Sequence, residues 1–472
     1  MTEMIRNGNR ICGRMCVELL GSLLSPMSIG SGESQQTDGD VVQNAAGKPF
    51  IPGSTVAGIL RDYSRVMLGK ERTEQLFGME KGGIPGSEAD RQSRIFCYDA
   101  CLEQAELMVR DGVRLGESKT AIPQSKYELQ AVERGARFRL RLELIQRKDC
   151  LHTDSEKPEV ISKALKEAWK EEEQAVRTWI TGFQSGELRI GAKSRRGFGK
   201  VNLEQARVLC FNMTKKEEYR RWLEWDWDNS DAFSEAKDLE TEGSERTPML
   251  EEVLEIPLKI PYTLIIRNYN GTLGKNGDAD YEHLTVSQRK EQAVIPGSSF
   301  AGAFRSYLAK LTASQAGISW KEAQKRLQPY FGTWTEENQE KLTASKVVFE
   351  ETLIKGGHRL PITRTAIDRF TGGTVSGALF EEVPWVGGTT TLCIRWKKAE
   401  DSKENAILCW LLLFAVYDLW DGFLTVGGET AVGRGIFCKP DEEDVEIKWN
   451  GKSLASDKAE EFMKMALGWM KG

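Results

Sequence analysis

The segment Phe50-Ile51-Pro52-Gly53-Ser54-Thr55-Val56-Ala57-Gly58-Ile59-Leu60-Arg61 returns 244 positions later as Val294-Ile295-Pro296-Gly297-Ser298-Ser299-Phe300-Ala301-Gly302-Ala303-Phe304-Arg305. Ile, Pro, Gly, Ser, Ala, Gly and Arg recur in register, and two further landmarks follow in the same order. Leu76-Phe77-Gly78 is answered by Tyr330-Phe331-Gly332. Gly191-Ala192-Lys193-Ser194-Arg195-Arg196-Gly197-Phe198-Gly199 is answered by Gly427-Gly428-Glu429-Thr430-Ala431-Val432-Gly433-Arg434-Gly435. Chance can produce one such match; three in order imply a unit that folds twice in one chain.

Working outward, each copy has a readable order of elements. In the first, Cys16 to Leu24 is strand-like, a polar loop follows, and a helix begins at the Pro-Gly-Ser turn with Ser54 as a good N-cap. Arg137 to Gln146 alternates as a half-exposed strand. Ile161 to Phe183 repeats apolar residues at helical spacing and stops at Ser185-Gly186. Gly199 to Val208 closes the unit as a strand. The second copy repeats this with Thr263 to Arg267, the helix from Ser298, Thr389 to Trp396, a helix around Ala406 to Gly422, and Gly435 to Lys439. The order matches a split βαβ plan. The expected fold is α+β: two tandem ferredoxin-like (RRM-like) domains with loop insertions. Their boundaries fall at 1–212 and 256–472, with 213–255 as an acidic, Trp-containing segment and linker.

Composition bounds the function. The 472 residues are 40% hydrophobic and 29% charged, enough to bury cores and unlike a disordered chain. Nine cysteines form no CxxC pair or zinc-like grouping, so free thiols in a reducing cytoplasm are expected. No signal peptide is visible, and the longest apolar run, Ala406 to Tyr417, is too short to span a bilayer. Net charge is −5, but residues 214–255 hold 14 acidic and 6 basic side chains, which leaves +3 for the rest. A chain near neutrality outside its linker can still hold a local basic groove.

The repeated pieces point to anion chemistry. A helix starting behind a Gly-containing bend presents free N–H groups to an anion. Gly58 and Gly302 sit inside those helices at a cost of about 1 kcal/mol relative to Ala, which suggests that another backbone approaches closely. Tight helix–sheet packing with a solvated Arg is the plainer reading. The loop Lys193-Ser194-Arg195-Arg196-Gly197-Phe198-Gly199 joins cations for phosphates to an aromatic for a base. In the second copy the cations thin to Arg434 and Glu429 enters, so that loop reads as more structural. Before each Pro-Gly-Ser turn lies a Gly-rich loop ending in Asp-x-Asp, namely Asp38-Gly39-Asp40 and Asp278-Ala279-Asp280. Such a loop can present a carboxylate to a phosphodiester, to hold a cation or accept a proton, although ordinary turn chemistry gives the same pattern.

Together these segments resemble the repeat-associated mysterious protein (RAMP) superfamily, and within it the backbone subunits of type III CRISPR effectors. Residues 25–78 look closest, and Arg364-Thr365-Ala366-Ile367-Asp368-Arg369-Phe370-Thr371-Gly372 resembles the family's protruding thumb. The resemblance implies a subunit that lines a guide RNA and cuts the complementary target RNA with Mg²⁺ or Mn²⁺, alongside other effector subunits and away from any membrane. It implies Asp38 and Asp280 as catalytic and metal-binding residues, with Asp40 and Asp278 as second choices. It also implies RNA contacts from Ser54, Arg61, Lys193, Ser194, Arg195, Arg196, Phe198, Ser298, Ser299, Arg305, Arg364 and Arg434. A fusion of two such domains looks like the multi-domain backbone proteins of subtype D systems.

Two other readings remain open. One is a purely structural guide-binding subunit. The other is a metal-independent guide-processing endoribonuclease, which in this superfamily commonly relies on a His near the first helix. Only His152, His283 and His358 are present, none beside the first Pro-Gly-Ser turn.

Overall fold

The computed structural model describes residues 10–32, 37–79, 92–151, 153, 155–229, 233–240, 249–268, 280–286, 289–333, 343–442, 445–454 and 459–471. The central strand of the first repeat, Ile11–Leu23, lies between Arg137–Arg147 and Val201–Asn212, antiparallel to both. Alternation decides its faces. Met15, Val17 and Leu19 point inward, while Cys16 and Glu18 point outward. The inner face packs on the helices Gly53–Met67 and Pro158–Ser185. Trp179 joins those helices, with its ring buried and its Nε1 donating to Ser64 Oγ at 2.8 Å. The long helix ends where Gly186 adopts the left-handed conformation, φ 76°.

The second repeat has a five-stranded sheet in the order Val347–Phe349, Thr389–Lys397, Glu251–Lys259, Lys448–Trp449, Lys452–Ser453. It packs on the helices Gly297–Ala316 and Ser402–Trp420. Its central strand is Glu251–Lys259, not the expected Thr263 to Arg267, which holds only the short strands Thr263–Leu264 and Arg267–Asn268. The sheet thus starts before residue 256, inside the segment assigned to a linker. Acidic residues and Pro257 disguise this strand in the sequence. Pro257 is tolerated because pairing with Lys448–Trp449 covers only Leu254 and Glu255, and the edge is next met at the Lys259–Cys438 bridge. That bridge is all that the described residues show of the expected closing strand Gly435 to Lys439.

The Trp-containing segment is also part of a repeat. Helix Lys216–Leu223 and strand Lys237–Leu239 fold back onto the outer side of the first sheet, where the strand pairs with Val201–Asn212. Residues 241–248 lie outside the described residues.

Each repeat also carries an antiparallel two-stranded projection, Leu107–Gly112 with Tyr127–Val132 and Ile362–Ile367 with Thr374–Val383. The second is exposed along most of its length, with Phe370 fully open.

Candidate functional site

The Pro-Gly-Ser turns serve a backbone purpose first. A Cβ on Gly53 would overlap the Cys97 carbonyl, and one on Gly297 would overlap the Phe349 carbonyl, so only Gly fits both turns. Ser54 is not the N-cap. Pro52 takes that place, and the Asp99 Oδ1 accepts the Gly53 N–H at 2.7 Å. Ser54 and Ser298 stand exposed in the first helical turn, with Ser299 half-buried. Among the described residues nothing outside their own helices lies within 4 Å of a Cβ built on Gly58 or Gly302, so the expected close backbone approach is not found there. Each lies one turn after the exposed serine and leaves a bare strip on the helix.

Arg61 and Arg305 hold the fold together. Arg61 Nη2 donates to the Gly78 carbonyl at 3.0 Å, and Arg305 Nη2 to the Gly332 carbonyl at 3.3 Å. Each ties its helix to the end of the next one, which explains why Arg and the Phe-Gly landmark recur together. Burial, with Arg114 adding to it, pushes the Arg305 guanidinium down to about 10.

The two repeats meet at a cleft. One wall is the glycine-rich loop of the first repeat with Lys193, Arg196 and Phe198, beside Arg110 and Tyr127. The other is the second Pro-Gly-Ser turn with Ser298 and Ser299, beside Arg267 and Asn268. Lys193 Nζ and the Arg196 guanidinium lie 5.6 and 5.7 Å from the Tyr127 ring centre, and Arg196 Nη1 donates to Tyr127 Oη at 2.7 Å. Burial and the neighbouring Arg196 hold Lys193 below its ordinary value. Buried Arg110 pairs with Glu351 at 3.4 Å but leaves Nε and Nη1 without a partner. Arg110, Lys193, Arg196 and Arg267 outnumber Asp111 and Glu351 along the cleft, and with unmet donors they favour an anion there. Arg110 had no sequence signal, because its projection meets the second repeat at Glu351 only in three dimensions. Ser194 lies half-buried in the loop, and Arg195 is exposed with Glu251 at 3.9 Å.

The second repeat's loop is closed by ion pairs. Arg434 is only 2% exposed and reaches Glu429 at 2.8 Å and Glu382. Arg267 meets Glu429 at 2.9 Å, and Arg364 meets Glu382 at 2.8 Å. Arg434 is therefore spent inside the protein, whereas Arg364 keeps an exposed side. His283 is buried, accepts the Ile266 N–H at Nδ1 (3.1 Å), and is pushed down to about 3 by burial, so it stays neutral and packed. His358 is exposed and His152 lies outside the described residues.

The two candidate carboxylates take matching places. Asp38 Oδ2 accepts the Glu128 N–H at 2.7 Å, and Asp280 Oδ2 accepts the Glu381 N–H at 2.8 Å. Both aspartates are exposed, and both acceptors are clamped to a strand of their repeat's projection. Asp40 is engaged locally, accepting the Thr37 N–H and Oγ1–H at 2.9 and 2.8 Å. Asp278 lies outside the described residues. No group of three or more His, Cys, Asp and Glu side chains gathers among the described residues. A lone exposed carboxylate fits Mg²⁺ only as one ligand among waters and substrate phosphates, which is how that ion is commonly held.

Two ferredoxin-like units in tandem, each with a Pro-Gly-Ser helix, a glycine-rich loop and a projection, define a duplicated α+β protein of the RNA-recognition kind of fold. The family model described as RAMP superfamily matches residues 22–202 and 274–438, and the chain belongs to that superfamily. No curated protein matches it. Among solved structures it is similar to a chain from "Cryo-EM structure of the Type III-B Cmr-beta bound to cognate target RNA", at 18% identity and a TM-score of 0.30. That match covers 44% of this chain and 63% of the other, so the chain spans less than two thirds of its neighbour's length. No described helix is long and apolar enough to cross a membrane.

Proposed function

We propose that this chain is a guide-RNA-binding backbone subunit of a type III CRISPR effector, working beside other subunits, and that Asp38 and Asp280 each serve a cut in the complementary target RNA. One observation carries the reading: two aspartates in different repeats, both exposed, are held by the same backbone contact to the projection. The cleft between repeats supplies phosphate and stacking contacts through Lys193, Arg196, Tyr127 and Phe198, with the exposed Ser298 at the helix start beside them.

The chemistry follows from one carboxylate per site. A target nucleotide splayed at the projection places its 2′-hydroxyl in line with the next phosphorus. The new O2′–P bond forms as the P–O5′ bond breaks. Asp38 or Asp280 takes the 2′ proton and water protonates the departing 5′ oxygen, leaving a cyclic phosphate. Positioning supplies most of the rate. A divalent ion such as Mg²⁺ or Mn²⁺ at Asp38 or Asp280 would neutralise charge on the phosphate.

The test is to assemble the chain with its guide and partner subunits and to follow complementary RNA in Mg²⁺. Loss of one specific cut in Asp38→Ala, another in Asp280→Ala and both in the double variant is expected. An unchanged pattern in the double variant, with guide and target bound, would leave a structural subunit. The ion-paired loop around Glu429 favours that second reading for the second repeat.

A further inference from the structure

The outer faces of the two sheets carry matching residues, but different things cover them. Tyr98 N donates to Arg141 O at 3.1 Å and Glu350 N to Cys393 O at 3.0 Å, so Tyr98 and Glu350 hold the same place. The ladders then match Glu143 with Arg395, because Phe96 and Cys16 pair with the former as Val348 and Val253 pair with the latter. By the same registers Arg14 matches Glu251.

In the second repeat this patch receives the first. Arg189 and Lys200 meet Glu350 at 2.6 and 2.9 Å. In the first repeat the patch is covered by residues 216–229 and Phe233. The Trp227 ring lies 5.7 Å from that of Tyr98, where Arg189 and Lys200 would otherwise come in. Arg141 Nη2 donates to Trp227 O at 2.9 Å and to Asp228 at 2.7 Å. Arg14, paired to Glu143 at 2.5 Å, lies 4.1 Å from the Trp222 ring centre. Trp225 is wedged edge-on between Phe211 and Phe233, at 5.3 and 5.0 Å.

The incoming edges differ as well. Gly199 N donates to Pro26 O and Gly435 N to Thr263 O, and Ile190 and Val426 donate to those two glycines, which matches Arg189 with Thr425 and Lys200 with Ile436. The free edge of the second repeat thus carries no cation at either place. It shows Phe423 and Val432 instead, 75% and 59% exposed. A Cβ on Gly197 would meet Glu351 N at 3.1 Å, whereas among the described residues nothing lies within 4 Å of one on Gly433.

We propose that residues 216–229 with Phe233 are a built-in cap. They occupy the surface through which a repeat of this kind receives its predecessor, so the chain does not add a second copy of itself head to tail. This goes beyond RNA binding and does not depend on it.

The test is sedimentation velocity of the full chain at rising concentration. Wild type is expected to stay monomeric. Trp222→Ser/Trp225→Ser/Trp227→Ser is expected to associate, and adding Phe423→Glu/Val432→Glu at the other edge should restore the monomer. Should the triple variant lose its circular-dichroism spectrum, Trp227→Ala alone, which uncovers Tyr98 and leaves Trp225 wedged, gives the same comparison. Three results would overturn the cap. They are wild-type chains dispersed by Phe423→Glu/Val432→Glu, an uncapped variant that is folded yet monomeric, or association that the edge substitutions do not relieve.

Discussion

Glu350→Gln probes the junction that makes two repeats one unit. Burial pushes the Glu350 carboxyl up, but Lys200, Arg189 and Arg395 outweigh it and hold the carboxyl well below the usual carboxylate range. Arg189 and Lys200 come from the first repeat; Arg395 is 3.6 Å away within the second and also meets Glu251 at 2.8 Å. The Arg189 and Arg395 side chains are buried, so removing the carboxylate leaves cations facing each other with little water. Breaking such a buried pair costs about 3–5 kcal/mol, roughly a hundred- to several-thousand-fold in the unfolding constant. Urea unfolding at neutral pH, followed by tryptophan fluorescence, reads this directly. We expect the first transition to move to lower urea and the junction to become protease-sensitive. The pH sign is fixed too. A depressed carboxyl contributes stability above its unfolded value of about 4.3, and that stability is lost as pH falls below it. Acid should therefore loosen the wild-type junction and leave the Gln variant's deficit smaller. A loss under about 1 kcal/mol at neutral pH, the scale of an exposed pair, would refute the reasoning.

Glu351 should behave oppositely. Burial raises its carboxyl more than Arg110 and Arg134 lower it, so its contribution is present at low pH and lost as pH rises. Stability measured against pH should thus shift in favour of Glu351→Gln between acid and neutral solution. Lys193→Ala/Arg196→Ala should weaken guide binding and flatten its salt dependence by about 0.7 per lost phosphate contact, read from log–log binding isotherms. Arg434→Ala should leave that slope unchanged and instead lower thermal stability, because it removes the buried cation shared by the neighbouring Glu382 and Glu429, leaving them only Arg364 and Arg267. Arg61→Ala should cost about 1–3 kcal/mol in chemical unfolding by freeing the Gly78 carbonyl, without changing RNA affinity.

The sequence by itself determined the duplication, the α+β plan and the two aspartate loops. Those rest on local demands: a Gly where a carbonyl crosses a turn, a Gly past a helix end, apolar residues at strand or helix period. The matching places of Asp38 and Asp280 were legible by counting back from such turns; their role remains the proposal made above. Tertiary structure alone decided the rest. Arg61 and Arg305 look like ligand-binding cations until Gly78 and Gly332 are seen beneath them. Arg434 reads as a loop cation until Glu382 and Glu429 close on it. The stretch Glu251 to Glu255 reads as the end of an acidic linker until Thr389–Lys397 pairs with it. The tryptophans at 222–227 have no readable partner until the outer face of the first sheet is in view. A side chain's role in each case depends on which surface it meets, and that surface is built by residues far away in the chain.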